Sequence, residues 1–425
     1  MSQSQTSSAT QSLALQHALV GDEVCSDVMV EVRAGRITEV TGSPAAGSVE
    51  VPGLTLPGLA NCHSHAFHRA LRGHTQRGGG SFWTWREQMY AVAAELTPDG
   101  YFELAREVYA EMRATGITAV GEFHYLHHQP DGTPYADPNE MGRALLAAAD
   151  DAGIRIRLLD TCYVSAGFGR APEGVQVRYS DGDAHAWAER VAAFGDPRVG
   201  AAIHSVRAVP RDQLGVVVEA AAGLPLHVHL SEQVAENEEC VAAYGLTPTQ
   251  VLAEAGALGP LTTAVHATHL SDEDIRLLGE SRTNVCFCPT TERDLADGIG
   301  PGRRLHEAGA TLTLGSDSHA VIDLFEEMRA VEMHERLASQ RRGHWRASEL
   351  LAAATRDGHR SLGYADAGRL APGQRADLVT VDLDTIRTRG TGATPETLVF
   401  AATGADVARV ECWSGRQGDQ LGTRP

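Results

Sequence analysis

Eight short β-rich runs, spaced along the middle of the chain and separated by helical patterns, constrain this sequence more than any other feature. They are GLTLPGLANCH, GITAVGEFHY, RIRLLDTCYV, VGAAIHSVRA, LPLHVHLSE, LTTAVHATH, TNVCFCPTT and ATLTLGSDSH. Helical periodicity falls between them, as over residues 98–115, 141–152 and 322–337. Regular strand–helix alternation implies a parallel sheet, and eight units over roughly 310 residues predict a closed (β/α)8 barrel. An open doubly wound sheet is the competing architecture. It would carry a glycine-rich phosphate turn after its first strand, and GLANCHSH is not one. The glycine run at 78–80 sits in a long loop and reads as a flexible tether.

The flanks have a different texture. Residues 12–55 read as short β segments, with alternation over 28–32 and a turn at Ala34-Gly35 that predicts a hairpin. From Gly368, GRLAPGQRADLVTVDLD and VARVECWSGR are again β-like. The expected organisation is a disordered tail over 1–10, a barrel over 56–367, and a small β domain assembled from 11–55 and 368–425.

Each of the eight runs is apolar, and nearly all end in polar, often ionisable residues. The first ends at His63 and His65, the second at Glu122, His124 and Tyr125, the fourth at His204 and Arg207. The fifth ends at His227, His229 and Glu232, the sixth at His266 and His269, the seventh at Thr290 and Glu292, and the eighth at Asp317 and His319. Strand C-termini of such a barrel converge on one mouth, where the chemistry sits. Residues two apart on a strand share a face, so His63 and His65 can reach one metal ion together, and His227 with His229 repeats the spacing. Asp317 follows a buried strand and would be costly there without a partner. Three histidines and an aspartate around the mouth suit Zn²⁺ or Fe²⁺, with water completing the shell. The alternative is a set of mutually bonded buried histidines, with Asp317 capping the next helix.

Composition narrows the partners. Against 55 acidic residues stand 36 basic ones, a net charge of −19 at pH 7. That balance argues against nucleic acid or an anionic membrane as partner. Every basic residue is arginine and none is lysine, which excludes a Schiff-base lysine, a phosphate-loop lysine and a carbamylated-lysine metal bridge. The seven scattered cysteines form no CxxC pair, so a disulfide framework is not indicated. The polar N-terminus has no leader pattern and no apolar stretch of about 18 residues exists to cross a membrane. A cytoplasmic protein, assembled as a homodimer, is expected.

Several of these motifs together resemble a known family. The HxH after the first strand, a histidine with a glutamate three residues later on the fifth, a histidine on the sixth and an aspartate on the eighth are similar to the amidohydrolase superfamily, in its mononuclear aminohydrolase branch. LPGLANCHSHAFHRALRG, FWTWREQMY, GEFHYLHH, HSVRAV, HVHLSEQ, VHATH and GSDSH resemble more narrowly the formimidoylglutamate deiminases. The resemblance spans the barrel, and the two-ended β domain and the missing lysine agree with it.

The resemblance implies hydrolysis of N-formimino-L-glutamate to N-formyl-L-glutamate and ammonia, a step of histidine breakdown. It implies one Zn²⁺ per chain, held by His63, His65, His229 and Asp317, with Fe²⁺ fitting the same donors. Of the two histidines on the fifth strand, it selects His229, three residues before Glu232. Glu232 and His266 match its proton-transfer positions, with Asp317 also accepting a proton, and His269 is a supporting residue. Arg86, Tyr125, His204 and Arg207 match positions that bind the small dicarboxylate substrate, for which arginine forks are suited. His68 departs from the pattern, which has glutamine there; imidazole still donates a hydrogen bond. Arg86 is expected in the long loop after the first strand, and the His127-His128 pair in solvent. Two other readings stay open. One is a deaminase of a heteroaromatic ring such as guanine, which would favour aromatic walls over paired arginines. The other is an inactive barrel serving as a scaffold.

Overall fold

The structure, a computed structural model, describes residues 10–42, 47–76 and 80–412. Nearly all of the expected N-terminal tail, Gly78 and Gly79 of the glycine run, and the end of VARVECWSGR lie outside the described residues. The first strands form a meander: β1 (Gln11–Val20), β2 (Glu23–Arg33) and β3 (Arg36–Thr41) pair antiparallel in order. Ala34 and Gly35 join β2 to β3 with φ of 51° and 71°, the positive values that a two-residue hairpin turn requires. β4 (Val49–Pro57) then runs parallel to β1.

At Gly58 the chain leaves this sheet for β5 (Leu59–Ser64), the first barrel strand. A Cβ on Gly58 would stand 2.2 Å from Thr118 Oγ1, so only glycine fits the crossing. The run GLTLPGLANCH, read as one strand, is therefore two strands in two sheets. A continuous apolar run carries no mark where burial passes from one sheet to the next.

Seven further parallel strands complete the barrel in sequence order: β6 (Ile117–His124), β7 (Arg155–Cys162), β8 (Val199–Ile203), β9 (Leu226–Leu230), β10 (Thr262–His266), β11 (Asn284–Phe287) and β12 (Thr311–Leu314). Helices cover their outer faces. α1 (Phe82–Glu95) and α2 (Pro98–Ala114) follow β5, and α3 (Glu140–Ala152) follows β6. α2 opens on Thr97, whose hydroxyl accepts from Gly100 N–H, with proline in the first turn. α3 closes on Gly153 at φ 69°. These are sequence-local start and stop signals.

The barrel closes at its mouth rather than along its whole length. Ser64 bridges Asp317, His65 N–H donates to the Asp317 carbonyl at 3.2 Å, and Asp317 N–H donates to the His63 carbonyl at 3.0 Å. Asn61 reinforces the seam: its Oδ1 accepts from Ser316 N–H at 2.9 Å. A Cβ on Gly315 would lie 2.8 Å from His63 Cβ and 2.9 Å from Cys288 Sγ, so the close approach again needs glycine.

The chain returns to the first sheet through β13 (Leu378–Val381) and β14 (Val407–Glu411), giving the order β14-β13-β4-β1-β2-β3. Both ends of the chain thus build one sheet, with an apolar core of its own that includes Leu13, Leu15, Val30 and Leu378. Arg155 at the start of β7 ties the barrel to it, donating from Nε and Nη2 to the Asp377 carboxylate at 2.9 and 2.6 Å. No helix among the described residues is long and apolar enough to cross a membrane.

Asp377 is 2% exposed, so its charge depends on this partner. Removing one member of a buried pair costs about 3–5 kcal/mol. Arg155→Met is expected to lower the thermal unfolding midpoint by several degrees without changing metal content. An unchanged midpoint would show that the pair does not hold the two sheets together.

Candidate active site

The strand ends at the mouth are held in unusual backbone conformations. Ser231, His266, Ala267, Asp317 and His319 all have positive φ, from 42° to 68°. Such residues are uncommon outside glycine and cluster where the surroundings fix them for function. Two of them, His266 and Asp317, stand at the mouth itself.

Three imidazoles meet there. His65 Nδ1 donates to the Phe123 carbonyl at 2.9 Å and His229 Nδ1 to the His204 carbonyl at 2.9 Å. A carbonyl only accepts, so in both neutral rings the proton sits on Nδ1 and Nε2 carries a lone pair. Yet His229 Nε2 stands 3.3 Å from His65 Nε2 and 3.1 Å from His63 Nε2. Asp317 Oδ1 lies 3.5 Å from the Nε2 of both His63 and His65. The lone pair of His65 faces that of His229 and the Asp317 oxygen, and these groups repel at such distances unless a cation lies among them. Burial lowers the pKa of all three histidines, and the imidazoles beside Asp317 hold its carboxyl at about 2 despite burial. A neutral N₃ set with one carboxylate fits a divalent zinc-type ion. His227, two residues earlier on β9, is fully buried and does not open into the site.

His266 occupies the next position. Its Nε2 faces Asp317 Oδ2 at 3.6 Å and Glu232 Oε1 at 3.9 Å. Its Nδ1 lies 3.3 Å from Glu292 Oε1, which also accepts from Cys288 N–H at 2.8 Å. Burial alone would lower the His266 pKa, but Glu232, Glu292 and Asp317 together raise it. Burial raises that of Glu232. In the sequence Glu292 stands out only as the polar end of the seventh run. Its role in fixing His266 was signalled by that strand-end position alone.

One cavity receives the remaining residues singled out in the sequence: His68, Arg86, Tyr125, His204 and Arg207, beside His65, His229, Glu232, His266 and Asp317. His63 is beneath it, fully buried. His68 Nε2 pairs with Tyr125 OH at 3.0 Å. Arg207 Nε lies 3.5 Å from Glu236 Oε2, and Arg207 makes no hydrogen bond to another described residue. Arg86 stacks over Trp83 and Tyr90, 4.4 and 5.5 Å from their ring centres. Tyr163, Tyr179, Met89 and Trp85 also line the cavity; no spacing rule pointed to them.

Two expectations are corrected here. Arg86 lies on α1, not in a loop. Only Met89 and Ala93 of that helix are buried, so no apolar stripe announced it. The His127-His128 pair is buried, not in solvent. His127 Nε2 donates to the Thr161 carbonyl at 3.0 Å, and His128 Nε2 lies 3.0 Å from Asp181 Oδ1. These partners are far away in sequence. His124, His127 and Asp160 also converge, but Asp160 already accepts from Arg190 at 2.8 and 2.9 Å and from Trp187 Nε1 at 3.0 Å. The Arg190 guanidinium already neutralises that carboxylate. His269 donates from Nε2 to the Asp297 carbonyl at 2.8 Å and supports that loop from outside the cavity.

The sequence pattern of the amidohydrolase family matches residues 54–415. The formimidoylglutamate deiminase of Pseudomonas aeruginosa is 36% identical, over 86% of this chain and 85% of its own. An amidohydrolase from Brucella melitensis has a TM-score of 0.88 at 32% identity, covering 96% of this chain and 94% of that one. An adenosine deaminase from Xanthomonas campestris with bound zinc has a TM-score of 0.80 at 25% identity, covering 95% and 91%.

One divalent ion per chain is expected at the imidazole cluster. His229→Ala should lose both the ion and turnover, and a chelator should abolish turnover until zinc is restored. Two tightly bound ions per chain by elemental analysis would exclude a mononuclear centre.

Proposed function

Because the chain belongs to the amidohydrolase family, as a metal-dependent hydrolase acting on a C–N bond, we propose that it converts N-formimino-L-glutamate to N-formyl-L-glutamate and ammonia in histidine breakdown. The observation that carries this reading is the polarity of the cavity. Glu232 and Asp317 line it together with His266, and Arg86 and Arg207 also line it. Among the described residues Arg86 has no carboxylate within ion-pair distance, and Arg207 has only Glu236. In a protein of net charge −19, two guanidinium groups in one cavity suit a dicarboxylate, bound by charged hydrogen bonds.

The residues divide the work as follows. His63, His65, His229 and Asp317 would hold one Zn²⁺, which supplies water acidified from a pKa of 15.7 to about 7. Asp317 accepts the proton of the attacking water through Oδ2, the oxygen facing His266. His266, held through Nδ1 by Glu292, stabilises the charge that develops as the formamidine carbon becomes tetrahedral. Glu232, whose pKa is raised by burial, protonates the imino nitrogen. A second proton delivered through the same groups lets ammonia leave. His68 takes the place of a glutamine in substrate contact and is tied to Tyr125, so affinity and pH response differ from those of a glutamine-bearing relative.

A second reading has one observation in its favour. Phe82, Trp85, Tyr90, Tyr125, Tyr163 and Tyr179 line the same cavity, and such walls stack a heteroaromatic ring. Ammonia release from N-formimino-L-glutamate, compared with guanine and adenosine, separates the two. Activity on a purine with none on the formimino compound would replace the first reading by the second.

Glu232→Gln is expected to keep its metal and lose at least about 10²-fold in rate, the usual weight of general acid–base catalysis. Near-normal turnover would remove Glu232 from the mechanism. Arg207→Met and Arg86→Met should each lower kcat/KM by about 10- to 150-fold, corresponding to about 1.5–3 kcal/mol for a charged hydrogen bond. The loss should be smaller for a formimino compound lacking one carboxylate. Equal losses on both substrates would show that neither arginine reads a carboxylate.

A further inference from the structure

α1 contributes Phe82, Trp85, Arg86, Met89 and Tyr90 to the cavity, yet it buries only Met89 and Ala93. Trp85, Tyr90 and Val92 pack against the barrel core but stay partly exposed, so apolar contact is one part of what seats the helix. Its last turn also carries no basic residue to meet the terminal carbonyls. A polar hold on it comes from a short 3-10 turn, Gly174–Tyr179, some eighty residues later.

Arg178 in that turn is fully buried, and among the described residues no carboxylate lies within ion-pair distance of it. Its guanidinium is spent on carbonyls. Nη1 donates to Ala93 and, at 3.1 Å, to Ala94, and Nη2 donates to Leu96 at 2.7 Å. Nε donates to the His128 carbonyl at 2.9 Å. Three of these four acceptors are carbonyls at the C-terminal end of α1, which lack partners within the helix and where it carries partial negative charge. The turn is fixed in its own place: His127 and His128 N–H both donate to the Arg178 carbonyl, at 3.0 and 2.9 Å. Its neighbours hold the cavity side of the same helix. Gln176 Nε2 donates to Tyr90 OH at 3.0 Å and to Tyr163 OH at 2.9 Å, and Tyr179 OH meets Met89 Sδ at 4.0 Å.

We propose that the turn Gly174–Tyr179 is a clasp that seats α1 over the cavity, and that Arg178 is a positioning residue for recognition of a substrate carboxylate by Arg86. The second half of this proposal rests on the deiminase reading; the clasp itself does not. Arg178 touches neither the cavity nor the imidazole cluster, which stands at the ends of β5 and β9. Losing it should therefore loosen α1 and leave the metal in place.

The test uses the full-length, zinc-loaded protein with Arg178→Met and Arg178→Lys. Hydrogen exchange of the amides over 82–95 should speed up by at least about 10-fold in Arg178→Met, while β5 and β6 keep their protection. Zinc content should not change. KM for N-formimino-L-glutamate should rise about 10-fold with kcat within about 3-fold, and in an Arg86→Met background the same change should add less than about 2-fold, because the two residues act as one unit. Arg178→Lys keeps the charge but cannot span three carbonyls. It should show the same pattern at reduced size, and it serves as the test if the methionine variant does not fold. Unchanged exchange over 82–95, or an equal KM penalty with and without Arg86, would overturn the proposal. A parent protein that leaves N-formimino-L-glutamate intact would end the functional reading but not the clasp, which the exchange rates then decide.

Discussion

The seam between the first and last barrel strands is the contact on which the rest of the molecule depends. The peptide groups of His63, His65 and Asp317 hydrogen-bond across it, and the side chains of the same three residues converge just above it. Closing the barrel and assembling the donor set are therefore one event. The seam is short, four strand residues on β12 against six on β5, and is reinforced by Asn61 and by the close approach of Gly315 to His63. A change that opens it removes the aspartate from the imidazoles as well as the last strand from the first. Stability and chemistry are not separable here, in contrast to barrels whose reactive groups sit on long loops.

The charge design follows from having arginine as the sole strong cation. Arginine keeps its charge when buried and presents several donors in a fixed plane. The chain uses this inside the fold: Arg155 on Asp377, Arg190 on Asp160 and Asp181, Arg178 on helix carbonyls, and Arg207 beside Glu236. Among the described residues, Arg207 and Arg86 are the arginines that line the cavity. The acidic groups there face His266, the one imidazole whose neighbours raise its pKa. The interior thus divides into arginines whose donors hold elements together and two that line the cavity, Arg207 with Glu236 beside it and Arg86 with no carboxylate within ion-pair distance among the described residues.

Much of this was legible in the sequence because barrel strands end where chemistry is needed. The eight runs, their polar ends and the His63/His65 spacing are local patterns, and local patterns survive folding. The choice between His227 and His229 was not local. Both share a face of β9, and only depth separates them; the resemblance to a family, not the spacing, made that choice. α1 was read as a loop because its inward face is aromatic and cationic and carries no apolar period. The burial of His127 and His128 depends on Asp160, Asp181 and Arg178, residues brought from β7 and the loop after it. Glu292 lay in plain view as a strand-end carboxylate, but its partner His266 is 26 positions away.

The pairing of β4 with β13 has a consequence for biosynthesis. Leu56 finds its partner in Val379, roughly three hundred residues later. A ribosome adding about 5–20 residues per second takes from about a quarter of a minute to a minute over that stretch. Throughout it one side of β4 is an open sheet edge, the template on which strands of other nascent chains can pair. The vulnerable period of this protein is thus set by the distance between two strands rather than by the slowness of its barrel, and a chaperone that shields the N-terminal meander during synthesis would protect it more than one acting after release.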